Sequence, residues 1–187
     1  MKQINELSVE ELGRLFPIIL SEPDSKWGED YSVEKINIEK ALGENNIVRI
    51  EHIGSTAIPG IIAKPTIDIL LEIIDTVENN YIISNLEKMA YQFIPKPGNP
   101  PPHMMFVKGY SQSGFSGQAF HVHIRYKGDW DEVHFRDYLI HHPEIAHEYA
   151  KIKIELAKKY RNNREAYTEA KTEFVKRINL LAKSELK

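Results

Sequence analysis

Residues 51–73 read EHIGSTAIPGIIAKPTIDILLEI. An apolar run ends at His52-Ile53, Gly54, Ser55 and Thr56 follow at once, Lys64 closes the loop, and a second apolar run carries Asp68. This is the pattern of a strand, a glycine-containing loop and a second strand. Side chains alternate along a strand, so Ile67, Ile69, Leu71 and Ile73 share one face while Thr66, Asp68, Leu70 and Glu72 share the other. Glycine lets backbone approach a ligand, and hydroxyls and amide N–H groups hold phosphate oxygens. A carboxylate among apolar neighbours is rarely buried without a partner or a metal, and one on the neighbouring strand can hold a hard cation. The stretch points to a nucleotide or polyphosphate site. It contains no phosphate-binding G-x-x-x-x-G-K-[ST] loop, no G-x-G-x-x-G dinucleotide fingerprint and no G-x-S-x-G nucleophile elbow.

Outward from this stretch, the chain separates into a helical start, a strand-rich middle and a helical end. Ser8-Val9-Glu10-Glu11 has the form of a capping box and predicts a helix running towards Ile19, with Pro17 as its kink or stop. A second helix is predicted over Ser25–Asn45, burying Trp27, Tyr31, Ile38 and Leu42. Strands are expected at Ile47–Ile53, Thr66–Ile74, Tyr91–Ile94, His103–Val107 and Ala119–Tyr126. Asp75-Thr76 is read as the cap of a helix through Ala90. The run 95–102, PKPGNPPP, excludes helix and central strand. The stretch 109–118, GYSQSGFSGQ, is read as a long mobile hairpin connection. Helices follow from Asp129 to His141, Pro143 to Tyr160 and Arg164 to Leu181. This order predicts one α+β domain over 1–187 with a mixed sheet: an N-terminal helix in 1–26, an α/β core in 27–128 and C-terminal helices in 129–187.

Composition excludes several classes. The chain has 187 residues, 42% of them hydrophobic and 27% charged, an ordinary balance for a globular protein. A formal net charge of −3 argues against a broad grip on nucleic acid. With no cysteine there are no disulfides, thiolate metal sites or thiol nucleophiles. MKQINELSVEEL lacks the apolar segment of a signal peptide, and no run approaches the ~20 apolar residues of a membrane span, so a cytoplasmic protein without membrane partners is expected. Oligomeric state is not legible.

A second constellation is His121-Val122-His123. On a strand His121, His123 and Arg125 share a face, against Phe120, Val122, Ile124 and Tyr126 on the other. Paired imidazoles ligate metals or hold phosphate, although a merely polar outer face has the same pattern. His52 and His103 join them if the strands are neighbours, whereas His141-His142 has the look of a solvated helix end. Arg136 is placed to reach phosphate with Asp137 beside it, and Tyr167 and Lys171 share a helix face.

IEHIGSTAIPGIIAKPTIDIL closely resembles the signature of the GrpB family, and HVHI, HFRDYLIHHPEIAHEYAKIKIELA and YTEAKTEF resemble its C-terminal pattern. The likeness runs from about Trp27 to about Phe174, which implies that residues 1–26 are an added or variable N-terminal helix. It implies the fold of the nucleotidyltransferase superfamily, in which a Gly-Ser loop binds a nucleoside triphosphate and strand acids bind divalent metal. Carried over, Gly54, Ser55 and Lys64 bind phosphate and Asp68 is the first metal ligand. His52, Thr56, His121, His123, Arg136, Asp137 and Lys171 are drawn in by the same motifs. Enzymes of that fold pair two acids as D-x-D or D-x-E, and position 70 here is Leu. Glu72 lies on the right face, but four residues along a strand span ~13 Å. The next strand offers His121 and His123 in place of a third acid.

Three functions follow as expectations. The first is transfer of a nucleotidyl group to a small molecule, with Mg²⁺ as the expected ion, Zn²⁺ or another transition metal as the alternative, and His52 or His121 as general base. The second is a non-catalytic module that binds a nucleotide or a phosphorylated small molecule. The third is a hydrolytic transition-metal site built from His52, Asp68, His121 and His123. The catalytic set is then Asp68, His52, His121 and His123; the phosphate set is Gly54, Ser55, Thr56, Lys64, Arg136 and Lys171; the metal set is Asp68, His121 and His123. Loops 95–102 and 109–118 are the expected walls of an acceptor pocket.

Overall fold

The computed structural model describes residues 7–185; the first six residues of the N-terminal segment and the last two of the chain lie outside it. Ser8 closes a complete capping box with Glu11 and starts α1 (Val9–Leu15), which ends at Phe16 just before Pro17, short of Ile19. Helix α2 (Lys26–Leu42) follows, then β1 (Ile47–Ile53), a single turn over Ser55–Ala57, β2 (Thr66–Ile73), α3 (Asn79–Lys88), β3 (Gln92–Pro95), β4 (Met104–Ser111) and β5 (Gly114–Tyr126). Four helices close the chain: α4 (Asp131–His141), α5 (Pro143–Lys159), α6 (Arg164–Glu169) and α7 (Thr172–Glu185).

The five strands form one mixed sheet in the order β1-β2-β5-β4-β3. Strands β2 and β5 are parallel, and every other neighbouring pair is antiparallel. The expected α+β architecture is the observed one. The parallel pair sits at the centre, which explains the near-continuous apolar sequence of β2, whose residues are buried except at Asp68. Its register sets Asp68 opposite His121 and Leu70 opposite His123.

One sheet face, carrying Ile67, Ile69, Leu71, Ile73, Val122 and Ile124, packs under α2 and α3 through Trp27, Ile38, Leu42, Ile82 and Leu86. A second apolar cluster joins the 54–65 loop to α4, α5 and α7 through Ile58, Ile61, Phe135, Leu139, Tyr149, Phe174 and Ile178. The C-terminal helices therefore roof the loop and face the Asp68 side of the sheet.

Four local expectations change. The 109–118 stretch is a β-ribbon rather than a mobile connection: β4 runs on to Ser111, β5 starts at Gly114, and Tyr110 pairs with Phe115. A bulge near Gly109, at φ +86°, interrupts the ladder where a Cβ would strike the Gln118 carbonyl, and this lets Gly-rich sequence stay in the sheet. The 164–181 helix is two helices broken at Ala170-Lys171. Asp75-Thr76 does not cap α3, which begins four residues later behind Glu78. Asp129 does not cap α4, which begins at Asp131 behind Trp130.

The N-terminal segment is built into the fold. Phe16 and Ile18 are buried. Phe16 meets Tyr110 and Phe115 edge-on, and Arg164 donates to the Phe16 carbonyl. No helix among the described residues is long and apolar enough to cross a membrane.

Candidate functional site

A cavity of about 730 Å³ lies between the Asp68 face of the sheet and helices α4, α5 and α7. Gly54, Ser55, Lys64, Asp68, His123, Tyr149, Lys153, Tyr167 and Lys171 are among the residues that line it. Gly54 opens the loop at φ +73°, and a Cβ on it would stand 2.5 Å from Asp68 Oδ2. Any side chain there would fill the space around the carboxylate, which accounts for the glycine.

Asp68, His121 and His123 each offer a ligand atom within 4.8 Å of the others. His121 Nδ1 lies 3.2 Å and His123 Nε2 3.6 Å from Asp68 Oδ1. Adjacent parallel strands place these residues on one face, so the grouping follows from register alone. Burial acts to raise the Asp68 carboxyl, but hydrogen bonds from His121 and His123 outweigh it and hold it well below the usual carboxylate range. Burial lowers His121. An ionised carboxylate and a neutral imidazole are the forms that bind metal. The far nitrogen of His121 is 2.7 Å from the Tyr110 hydroxyl, which fixes the ring and leaves Nδ1 towards Asp68.

Opposite these donors stand three lysines. Lys64 closes the loop as expected, and burial, with Arg164 and Lys171 nearby, pulls it down to about 7. Lys153 is buried, donates to the Ile62 carbonyl, and is lowered by desolvation and by Lys171 and Lys64 to about 7. Lys171 sits 4.3 Å over the Tyr167 ring and is lowered to about 8, again chiefly by burial. None of the three has a salt bridge to a carboxylate among the described residues. Three partly desolvated cations converging on one cavity suit a multiply charged anion. The Tyr149 hydroxyl, raised to about 12 by burial, interacts with Ser55.

Other expected residues are placed elsewhere. His52 points to the opposite sheet face, since it pairs with Ile69, and stacks on Tyr31 at 4.8 Å. Its Nε2 meets the Thr56 hydroxyl at 3.0 Å, and burial takes it down to about 4. It therefore does not join a metal set with Asp68 and is not placed as a base in the cavity. Thr56 is buried, donates to the Thr66 carbonyl and ties the loop to β2 instead of facing a ligand. Arg136 donates to Glu51 and to the His52 carbonyl, with Asp137 beside it, so it fastens α4 to β1 rather than reaching the cavity. His103 lies in the proline turn against the Asn99 carbonyl. Arg125 is buried, and its guanidinium is spent on Glu132 and the Ile124 carbonyl. Glu72 is buried too: it accepts from Arg49, the Gly128 amide and Trp130, so it is no second metal ligand. Of the two expected pocket loops, Pro100 reaches the cavity wall and no residue of 109–118 does.

Lys153, Tyr149 and Tyr110 were not singled out from the sequence. A signal existed for the first two. Ala146, Tyr149, Ala150 and Lys153 form the buried stripe of α5, and a lysine within such a stripe is rarely solvated. Tyr110 carries no comparable signal, because only the bulged ribbon brings it to His121.

Fold and site together define an α+β protein in which a Gly-Ser loop, a lysine cluster and two of three metal-capable donors, Asp68 and His123, line one cavity, with His121 beside Asp68. Residues 17–180 match the family model described as GrpB protein, and the chain belongs to that family. It is 40% identical over 156 residues to a UPF0157 protein of Pseudomonas aeruginosa and 35% identical over 158 residues to the UPF0157 protein YqkA of Bacillus subtilis. Those matches cover 83% and 82% of this chain but only 63% and 43% of the two relatives, which are longer. The Glutamate-rich protein GrpB of Alkalihalophilus pseudofirmus is 34% identical, with 86% of this chain and 93% of the relative covered. The crystal structure of the conserved protein GrpB from Enterococcus faecalis superposes with a TM-score of 0.78 at 27% identity, covering 90% of this chain and 99% of that one.

Proposed function

We propose that this chain binds a nucleoside triphosphate together with a divalent metal ion and transfers the nucleotidyl group to a small acceptor, breaking the α–β phosphoanhydride bond and releasing pyrophosphate. One observation carries the reading: Lys64, Lys153 and Lys171 face the same cavity as Ser55 and Asp68, so phosphate and metal subsites adjoin. The triphosphate lies along the lysines, and Ser55 and the loop amides after Gly54 take its oxygens. Asp68, His121 and His123 hold the metal.

Magnesium fits this donor set poorly. It prefers oxygen ligands in octahedral array, and the second acid is replaced by Leu70, which is fully buried. One carboxylate and two imidazoles suit zinc, iron, nickel or copper. Bound there, such an ion supplies positive charge to the phosphate oxygens. The expected Mg²⁺ thus gives way to a transition metal in this proposal.

Leu70 also favours a second reading, in which the site binds a nucleotide without turning it over. Thermal shift with a panel of nucleotides in Mg²⁺, Mn²⁺ and Zn²⁺ identifies ligand and ion, since linked stabilisation grows with occupancy. Asp68→Asn should then abolish nucleotidyl product while leaving the fold intact, and undiminished turnover in that variant would remove the assignment. Saturable binding with no product from the unaltered protein selects the second reading.

A further inference from the structure

Three tyrosine hydroxyls stand around the site, and two of them are engaged: Tyr110 with His121, and Tyr149 with Ser55. The third, on Tyr167, is not. Tyr167 is 1% exposed and lines the cavity. Its hydroxyl makes no hydrogen bond among the described residues, yet it is not sealed in protein, for the sealed side-chain N and O atoms that lack a partner there are Arg125 Nε and Asn179 Oδ1. The contact it keeps is with the cavity that the residue lines. A hydroxyl so largely desolvated is costly to leave without a partner, so one in a cavity wall marks a ligand contact.

The surroundings say what kind of ligand. Tyr167 is the buried residue of the short helix α6, and Lys171 follows in the break before α7. The Lys171 Nζ stands 4.3 Å from the centroid of the Tyr167 ring, and the Nζ of Lys64, from the loop before β2, stands 5.5 Å from the same centroid. Arg164, at the start of α6, adds positive charge close enough to lower both lysines. Burial, with Tyr149 beside it, holds the Tyr167 phenol well above its usual range, so it keeps its proton. The hydroxyl thus has a proton to give, and the ammonium groups at its ring have only protons to give. The group missing from this corner is an acceptor with negative charge. A phosphate, with several charged oxygens on one atom, meets all three donors at once.

Resting on the phosphate site of the reading above, we propose that Tyr167 is a phosphate-binding residue: its hydroxyl donates to an oxygen of the phosphate group that Lys64 and Lys171 hold. The corner between α6 and α7 is then a three-donor seat for one phosphate of the polyphosphate chain.

The test is Tyr167→Phe, which removes the hydroxyl and keeps the ring that both lysines contact. Titration calorimetry of the full chain with inorganic tripolyphosphate should show an affinity about 10- to 100-fold weaker than that of the unaltered protein, the usual worth of a hydrogen bond to a charged group. The thermal midpoint of the free variant should hold or rise, because the lost hydroxyl had no partner in the protein. Equal affinity in the two proteins overturns the proposal and leaves the lysine site standing. A free variant that melts lower and binds more weakly overturns it too, because the hydroxyl then serves the fold. A crystal structure of the unaltered protein with tripolyphosphate checks the contact without any variant: a phosphate oxygen within ~3 Å of the Tyr167 hydroxyl supports the assignment, and a hydroxyl turned away from the bound anion overturns it. If the unaltered protein binds no tripolyphosphate, the phosphate reading itself fails and takes this inference with it.

Discussion

At the scale of single residues, the site depends on contacts that permit no slack. Gly54 holds a left-handed φ with the Asp68 carboxylate against its α-carbon. Gly54→Ala meets two penalties: a conformation costing about 1–2 kcal/mol for an L-residue, and a methyl group driven into Oδ2. The expected outcome is a urea midpoint lowered by about 2 kcal/mol in free energy and weaker metal uptake, since the carboxylate must turn away. A variant with unchanged stability and metal affinity would show that the loop has a second conformation. Tyr110 is a milder case. Its hydroxyl orients His121 without touching the cavity's lysines. Tyr110→Phe keeps the ring contacts with Phe16 and Phe115 and should stay folded, yet lose about 10- to 100-fold in metal affinity, as outer partners of ligands commonly do. Metal competition against a chromogenic chelator reads this directly.

At the scale of elements, what was legible in the sequence is what register and periodicity determine. The alternation in 66–73 fixed which face carries Asp68, and the His-x-His pair was recognisable as a second donor face. Parallel pairing of β2 with β5 then made the two faces one. Position in the sheet, however, is not written in a strand's own pattern. His52 belongs to the face of β1 opposite Asp68, which only the β1–β2 register reveals. Glu72 reads as a spare carboxylate until Arg49 and Trp130, distant in sequence, are seen to close on it. Glycine and serine in 109–118 signalled a loop, and the ribbon forms anyway because a bulge at Gly109 absorbs the irregularity. The N-terminal segment is a similar case: seen as a variable appendage, it supplies a core residue. Phe16 is 1% exposed and wedges against Tyr110 and Phe115. Phe16→Ala should therefore cost about 3–5 kcal/mol by chemical denaturation, the range for truncating a buried phenylalanine. A loss below 1 kcal/mol would mean that the segment is peripheral after all.

At the scale of the whole molecule, the 54–65 loop and the C-terminal helices bring Lys64, Lys153 and Lys171 to one cavity, and this couples the proton balance to the ligand. Lys64 and Lys153 are lowered to about 7 and Lys171 to about 8, from an ordinary 10.5, mainly by burial. Their folded values lie below their unfolded ones, so from pH ~7 to ~10 the unfolded chain carries more protons on these groups. In that window their share of the stability of the free protein rises with pH, and it is lost as pH falls through 8 and 7, when each must be charged while confined. A multiply charged anion reverses the preference, because it binds the protonated lysines and draws protons in. Free protein should melt higher at pH 9 than at pH 7, whereas the extra stabilisation given by saturating tripolyphosphate should shrink over the same interval. Lys153→Met should flatten the first trend and weaken the second without opening the fold, since a methionine fills the lysine's stem. Calorimetry at pH 7.5 in two buffers of different ionisation enthalpy should register net proton uptake on binding. An anion-induced shift that stays constant from pH 7 to pH 9, with no proton uptake, would show that the lysines do not face the ligand.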